Sequence, residues 1–279
     1  MIALATCAEL PDGDVDDAAL PAALDARFVV WDDPRVDWSL YDRVVIRSVW
    51  DYAKRRDEFL AWTRAVGPRL INPPELVAWN TDKRYLDELA DAGIPVVPTA
   101  FVEPGGPYVL SDEEAVIKPA VSAGSKDTAR FGGDEPERQT ALIDRIHASG
   151  RTAMIQPYIP SVDERGETAL LYFGGAYSHA IHKGPLLRPG AEPAEGLFAP
   201  EVLNPRTPSD GERALADRLV SVLAERWGAA PVYARVDLVE DPFGAPILLE
   251  LELTEPSLFF TQGGTASVAA FAAAVRASS

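Results

Sequence analysis

Ala115-Val116-Ile117-Lys118-Pro119-Ala120-Val121-Ser122-Ala123-Gly124-Ser125-Lys126 is the stretch on which the fold turns. Residues 115–119 read as a short buried strand that delivers Lys118. Residues 120–126 read as a loop of small side chains, and 128–131 as the returning strand. Small residues let backbone N–H groups come close to phosphate oxygens, and a lysine at the strand end adds a point charge for the same anion. The stretch is neither a Walker loop nor a dinucleotide fingerprint. On its own, a β-turn carrying solvated lysines explains it equally well.

Composition gives Lys118 its weight. The chain has 279 residues, 47% of them hydrophobic, enough for a real core. Lys+Arg number 26 against 43 Asp+Glu, a net charge of −17. That acidity opposes nucleic acid, which needs a basic stripe, and an anionic membrane surface. Only five residues are lysine: Lys54, Lys83, Lys118, Lys126 and Lys183. The single cysteine, Cys7, excludes an intramolecular disulfide and a multi-cysteine metal site. Residues 1–10 lack a basic n-region, and no apolar run approaches the roughly 18 residues of a membrane helix. A soluble, cytoplasmic protein is expected, and homo-oligomerisation is compatible with the sequence.

Upstream of 115, apolar runs at 2–6, 28–31 and 43–49 alternate with helical spacing at 15–26 and 54–66, although Pro21 interrupts the first helix. This strand–helix alternation predicts a small α/β unit with a parallel sheet. Asn72-Pro73-Pro74 punctuates the chain, and a helix is expected over 81–92. Downstream, a helix over 135–149 leads to a strand over 153–158. A hairpin, 168–173 with 176–183, turns at Gly174-Gly175. Residues 184–210 are long, Pro/Gly-rich and aperiodic, the pattern of an active-site lid. A helix over 211–227, strands over 232–239 and 246–253, and a helix over 267–276 complete the chain.

Three further segments bear on chemistry. In Tyr233-Ala234-Arg235-Val236-Asp237, strand period two puts Arg235 and Asp237 on one face. In Leu248-Leu249-Glu250-Leu251-Glu252-Leu253-Thr254-Glu255-Pro256 the same period pairs Glu250 with Glu252 over a leucine face. A solvated sheet face explains such acids most simply. Three carboxylates on neighbouring strands with an arginine among them also suit Mg²⁺, which takes hard oxygen ligands and bridges nucleotide phosphates. Gln156-Pro157-Tyr158-Ile159, followed by Glu164 and Glu167, ends a strand as a hinge between subdomains would, where backbone pairs with an adenine edge and an acid takes the ribose hydroxyls.

The order of these parts resembles the ATP-grasp superfamily, in its glutathione-synthetase-like and ribosomal-modification-ligase-like branch. The resemblance runs from about Thr81 to the C-terminus. It implies an α/β and α+β fold: a pre-ATP-grasp α/β domain over 1–80, connecting helices and a small subdomain over 81–158, and a large subdomain over 159–279. It implies that Lys83 and Lys118 contact nucleotide phosphates, that Ser122, Gly124, Ser125 and Lys126 fold over them, and that Gln156, Pro157, Tyr158 and Ile159 hold adenine. Glu164 and Glu167 serve the same nucleotide. Asp237, Glu250 and Glu252 match the magnesium ligands, with Glu252 where the family carries Asn. Lys183 and Arg235 match cations beside the transferred phosphoryl group. ATP and Mg²⁺ are the implied cofactors, and a small amino-acid-like molecule the implied partner.

The N-terminal pattern Thr6-Cys7-Ala8-Glu9-Leu10-Pro11, Val30-Trp31-Asp32-Asp33-Pro34 and Arg47-Ser48-Val49-Trp50-Asp51-Tyr52 narrows the resemblance to the cyclo-ligases of cycloserine biosynthesis. Their reaction closes O-ureido-D-serine to D-cycloserine at the expense of ATP. An intermolecular carboxylate–amine ligase and a non-catalytic nucleotide binder are the alternatives. Open α/β sheets bind ligands at the carboxyl ends of their strands, so substrate contacts are expected from Cys7, Arg47, Ser48, Trp50 and Asp51. Arg47 and Asp51 would grip the two ends of a zwitterion, although a surface ion pair is an equal reading. Cys7 reads more simply as a small buried residue than as a catalytic thiol. His179 shares a hairpin face with Lys183 and is the histidine expected near the site.

Overall fold

The computed structural model describes residues 1–124, 126–187, 190 and 202–278. Three sheets organise it. The first is parallel, built from β1 (Ile2–Thr6), β2 (Ala26–Val30), β3 (Arg43–Ile46) and β4 (Leu70–Ile71) in the order β2-β1-β3-β4. Its central strands are apolar on both faces because helices cover both. The helix Arg56–Val66 buries Phe59, Leu60, Trp62, Thr63 and Val66, the stripe that its spacing predicts. Trp31, Phe59, Trp62 and Trp38 cluster beneath it at 5.2–5.9 Å between ring centroids.

Two helical expectations are corrected here. Residues 15–26 are not one helix. A single 3₁₀ turn at Val15–Asp17 is capped by the Asp14 side chain, the helix proper is only Leu20–Leu24, and Asp25 at φ 52° ends it. Pro21 is tolerated in a first turn and nowhere later, so the helix starts beside it and β2 takes the remainder. Residues 81–92 are likewise shorter. Pro74 opens a helix, Pro74–Asn80, instead of merely punctuating the chain. The next helix is Tyr85–Asp91. The break between them turns the Lys83 N–H to the Ala120 carbonyl at 2.9 Å.

The second sheet is antiparallel: β5 (Ala100–Val102), β6 (Ala115–Pro119), β7 (Ala129–Phe131) and β8 (Ala153–Pro157) in the order β5-β8-β6-β7. The helix Pro136–Ala148 closes one face with Leu142, Ile143 and Ile146 against Ala115, Ile117 and Ile155. Strand alternation therefore turns Val116 and Lys118 to the opposite face.

The third sheet is β9 (Glu167–Phe173), β10 (Ala176–Lys183), β11 (Leu203–Arg206), β12 (Tyr233–Glu240) and β13 (Pro246–Glu252), in the order β11-β10-β9-β12-β13 and antiparallel throughout. Gly174 and Gly175, at φ 58° and 80°, make the tight β9–β10 turn that left-handed residues allow. Leu170 and Tyr172 pack under the helix Asp210–Trp227, while Ala169, Leu171 and Phe173 pack under Phe260–Ala277. The second of these helices begins seven residues before its expected start and bends at Gly264, φ 69°. The aperiodic stretch 184–210 is corrected in part: Leu203–Arg206 pairs with β10 as an edge strand. Of the rest of that stretch, residues 188–189 and 191–201 lie outside the described residues.

Two buried asparagines tie the first sheet to the third. The Asn72 amide donates to the Tyr233 and Leu253 carbonyls at 2.9 and 2.7 Å, and its oxygen accepts from Val232 N–H. Asn80 donates to the Leu251 carbonyl and accepts from Leu253 N–H. Each satisfies a strand-end group that burial would otherwise leave unpaired.

Candidate active site

A cavity of about 480 Å³ opens between the second and third sheets and reaches the carboxyl ends of β1 and β3. Strand alternation supplies its charged floor. On β12, Val236 and Leu238 enter the core, so Arg235 and Asp237 face the cleft side. On β13, Leu251 enters the core, so Glu250 and Glu252 face the same side. The register sets Asp237 opposite Glu250 and Arg235 opposite Glu252. The hairpin sets Glu167 opposite Lys183.

Lys83, Lys118, Lys183 and Arg235 come together here, each at most 9% exposed. Lys83 Nζ lies 3.1 Å from Glu250 and donates to Ser122 Oγ at 3.1 Å. Lys118 Nζ lies 3.7 Å from the same carboxylate. Lys183 bridges Glu167 at 2.9 Å and Asp237 at 3.1 Å. Arg235 joins Asp237, at 2.9 Å, to Glu252. Burial disfavours charge on all of these groups, and the partners decide what is left. Burial lowers the Lys118 pKa, and the like charges of Lys83 and Lys183 add to the effect despite Glu250. Glu250, its side chain 24% exposed, pays part of the same desolvation cost, yet Lys83 and Lys118 hold it at about 2. Burial and the adjacent Glu250 and Asp237 carboxylates push Glu252 up to about 7 against the pull of Arg235. Glu255 reaches about 8, from burial and from Glu252.

Four acids, Glu167, Asp237, Glu250 and Glu252, thus meet four cations before a polyphosphate arrives. Asp237, Glu250 and Glu252 are hard oxygen donors, and a divalent ion between them and phosphate would offset their mutual repulsion. Among the described residues no three Asp, Glu, His or Cys side chains are gathered so as to hold a metal ion by themselves. An ion at these acids would need phosphate oxygens or waters to complete its shell.

Beside the charged floor lies an apolar slot. Val116, Ile159 and Val162 line one wall, and Val239 and Leu249 the other. The hinge above it is rigid. Tyr158 N–H donates to the Glu114 carbonyl at 2.8 Å, its hydroxyl donates to Asp163 at 2.7 Å, and the Arg130 guanidinium stacks 3.4 Å from its ring centre. Gln156 Nε2 donates to Thr99 Oγ1 at 2.9 Å. A flat heteroaromatic ring fits such a slot, with its phosphates reaching the lysines.

Of the residues expected at a nucleotide site, Lys83, Lys118, Ser122, Gly124, Gln156, Pro157, Tyr158, Ile159, Glu167, Lys183, Arg235, Glu250 and Glu252 line the cleft. Asp237 sits beneath its floor, 2% exposed. Ser125 lies outside the described residues, and Lys126 does not reach the lining. Glu164 is corrected: it is exposed on the short helix Ser161–Arg165, away from the cleft.

Most expected substrate contacts are also corrected. Arg47 is buried and bonds Asp17 at 2.8 Å and the Pro256 carbonyl at 3.0 Å, so it does not grip a zwitterion with Asp51. Asp51 instead takes Arg55 and the Trp31 indole N–H. Ser48 Oγ shares a buried hydrogen bond with Thr6 Oγ1 at 2.8 Å. Cys7 is fully buried, with its thiol pushed up to about 11 by burial and by Asp51, which suits packing and not nucleophilic attack. His179 shares the expected face but lies under the Leu258 carbonyl, which its Nε2 meets at 3.0 Å, and burial lowers its pKa. Trp50 alone lines the cleft. Asp17→Ala tests the reassignment of Arg47. It is expected to cost about 3–5 kcal/mol in denaturant unfolding, because it strands a buried guanidinium. A change in substrate KM at unaltered stability would return Arg47 to the substrate site.

The end of the cleft nearest the first sheet is lined instead by Asp14, Val15, Asp16, Tyr52, Glu255, Ser257, Thr261 and Gln262 beside Trp50. Asp16 caps the helix Phe260–Ala277 from a distance, its two oxygens accepting from Phe260 and Thr261 N–H. Trp50 Nε1 donates to the Glu255 carbonyl at 3.0 Å. Sequence spacing has no signal for these contacts, since residues 14–16, 50–52 and 255–262 meet only through packing.

The family model described as D-cycloserine synthetase DcsG, N-terminal domain, matches residues 2–72. The cycloserine biosynthesis protein DcsG of Streptomyces lavendulae is 38% identical over 262 residues, 88% of this chain and 86% of that protein. The crystal structure of D-cycloserine synthetase DcsG superposes with a TM-score of 0.88 at 38% identity, covering 99% of both chains. D-alanine–D-alanine ligase from Bacillus anthracis superposes at 0.69 with 12% identity, covering 99% of this chain and 96% of that one, a likeness of fold.

Proposed function

This chain belongs to the DcsG family of ATP-grasp ligases, and on that premise we propose that it closes O-ureido-D-serine to D-cycloserine, coupled to hydrolysis of ATP to ADP and phosphate. It is an ATP-dependent carboxylate–amine ligase. The observation that supports the finer reading is the meeting, in one cleft, of four buried cations, three carboxylates and an apolar slot, with a polar chamber at its end beside the N-terminal sheet. The division into units over 1–80, 81–158 and 159–279 is part of the same proposal.

The slot takes adenine beneath the Gln156–Ile159 hinge. Lys83 and Lys118 take the phosphates. Asp237, Glu250 and Glu252 would hold Mg²⁺, which supplies charge neutralisation at the β- and γ-phosphates when bound. Lys183 and Arg235 lie where charge develops on the migrating phosphoryl group. Their effect is positioning and electrostatics, with their own side chains already fixed by Glu167, Asp237 and Glu252.

The substrate carboxylate oxygen attacks the γ-phosphorus, and ADP leaves. The resulting acyl phosphate is then attacked by the ureido nitrogen bonded to oxygen in the same molecule. Phosphate departs as the ring closes, and hydrolysis of the carbamoyl group releases CO₂ and NH₃. Because nucleophile and electrophile share one molecule, proximity is built in. The protein must hold the chain folded and keep water from the acyl phosphate.

The test is ADP release, by a coupled assay over a panel of amino-acid carboxylates, with mass spectrometry of the product. Release with O-ureido-D-serine alone and a cyclic product is expected. A requirement for a second amine would instead make the enzyme an intermolecular ligase. No ADP release with any substrate would make it a nucleotide binder.

A further inference from the structure

The lining of the cleft changes along its length. At the phosphate end Lys83, Lys118, Lys183 and Arg235 are interleaved with Glu167, Glu250 and Glu252, whereas Asp14, Asp16 and Glu255 supply the ionisable lining of the chamber beside Trp50 and Tyr52. Two of these acids already serve the chain. Asp14 accepts from Asp16 N–H, and both Asp16 oxygens accept from the helix start at Phe260 and Thr261. Glu255 differs. Tyr52 lines the cleft with it, and among the described residues no lysine or arginine is ion-paired with it. Lys83 and Lys118 are paired with Glu250, and the Arg235 guanidinium reaches Asp237, Glu252 and the Ser257 carbonyl, two residues beyond Glu255.

Resting on the ligase reading above, we propose that Glu255, with the Tyr52 hydroxyl beside it, receives the α-ammonium of an amino-acid substrate and so selects zwitterions over simple carboxylates. Glu255 is half-buried in the cleft lining, and an ammonium arriving there would supply the counter-charge that no ion pair gives it. The opposite end of the same small molecule then points at Arg235 and Lys183. With its ammonium held at Glu255, the zwitterion has its carboxylate left for the end of the cleft that carries Lys183 and Arg235. Tyr52 is 2% exposed and held among Val49, Phe59 and the other residues of the first core, so the anchor is presented by a rigid element.

Calorimetric binding in the presence of Mg²⁺ and a non-hydrolysable ATP analogue tests the anchor. The ligands are O-ureido-D-serine, D-serine and D-alanine, each against its counterpart with hydrogen in place of the α-ammonium. The wild type is expected to prefer the amino acids by roughly 100-fold. Glu255→Gln is expected to bring that preference to within a few-fold, and Tyr52→Phe to reduce it partly, with affinity for the ATP analogue unchanged as the sign of an intact fold. A preference that survives Glu255→Gln overturns the anchor, as does a wild type with no preference. The ligase reading is judged separately by product. A cyclic product with an undiminished preference in the variant sinks the anchor alone. A Glu255-dependent preference without cyclic product sinks the cyclisation alone. Nucleotide binding with no amino-acid binding at all removes both.

Discussion

Glu250→Gln is expected to lower turnover, followed as ADP release, on the order of 10³-fold. Two roles converge on this carboxylate. It lies 3.1 Å from Lys83 and 3.7 Å from Lys118, which hold it ionised at about 2 despite partial desolvation. It also stands opposite Asp237 and next along the face from Glu252, the other two acids proposed for the metal. The amide keeps the shape and removes the charge. Lys83 and Lys118 then lose their counter-ion and become more available to phosphate, so affinity for ATP without metal should hold or rise while turnover collapses. Turnover near that of the wild type would take Glu250 out of the metal site. A parallel loss of metal-free nucleotide affinity would show that the residue acts by holding the two lysines in place.

Lys118→Ala is expected to weaken binding of ATP or ADP by about 2–5 kcal/mol, measured by calorimetric titration. Burial and two neighbouring cations already depress the pKa of this lysine, so its charge is poorly compensated by the protein alone. A phosphate supplies what Glu250 at 3.7 Å does not. The exposed lysine Lys54, outside this cleft, serves as the comparison, and its replacement by alanine should leave nucleotide affinity where it was. Equal affinity in Lys118→Ala and wild type would return Lys118 to the role of an ordinary buried ion pair.

Both predictions concern residues that local sequence already singles out. Strand alternation needs only neighbouring residues, so Arg235 with Asp237 and Glu250 with Glu252 are legible as same-face pairs. Lysine scarcity makes Lys83, Lys118 and Lys183 conspicuous in an acidic chain, and all three line the cleft. The net charge of −17 opposes polyanions such as nucleic acid, but a single nucleotide needs only a local cationic pocket. Local reading fails where a side chain's partner is distant. Nothing near Arg47 announces Asp17, thirty residues earlier, and a buried arginine takes the nearest buried acid. His179 meets a carbonyl from residue 258. Glu164 sits on a short helix that points it to solvent.

The sequence by itself determined the elements and their faces: a parallel α/β unit, the strand that delivers Lys118, and the two acid-bearing strands at the end. Hydrophobic periodicity is a local property, so it survives without the third dimension. Only the tertiary structure decided which charges meet. The register of β12 against β13, the helix break that swings Lys83 onto Glu250, and the packing of the first sheet that carries Tyr52 to Glu255 are contacts between segments far apart in the chain. Their pairings follow from which buried charges find a partner at the least desolvation cost, a quantity that exists only once the sheets have packed.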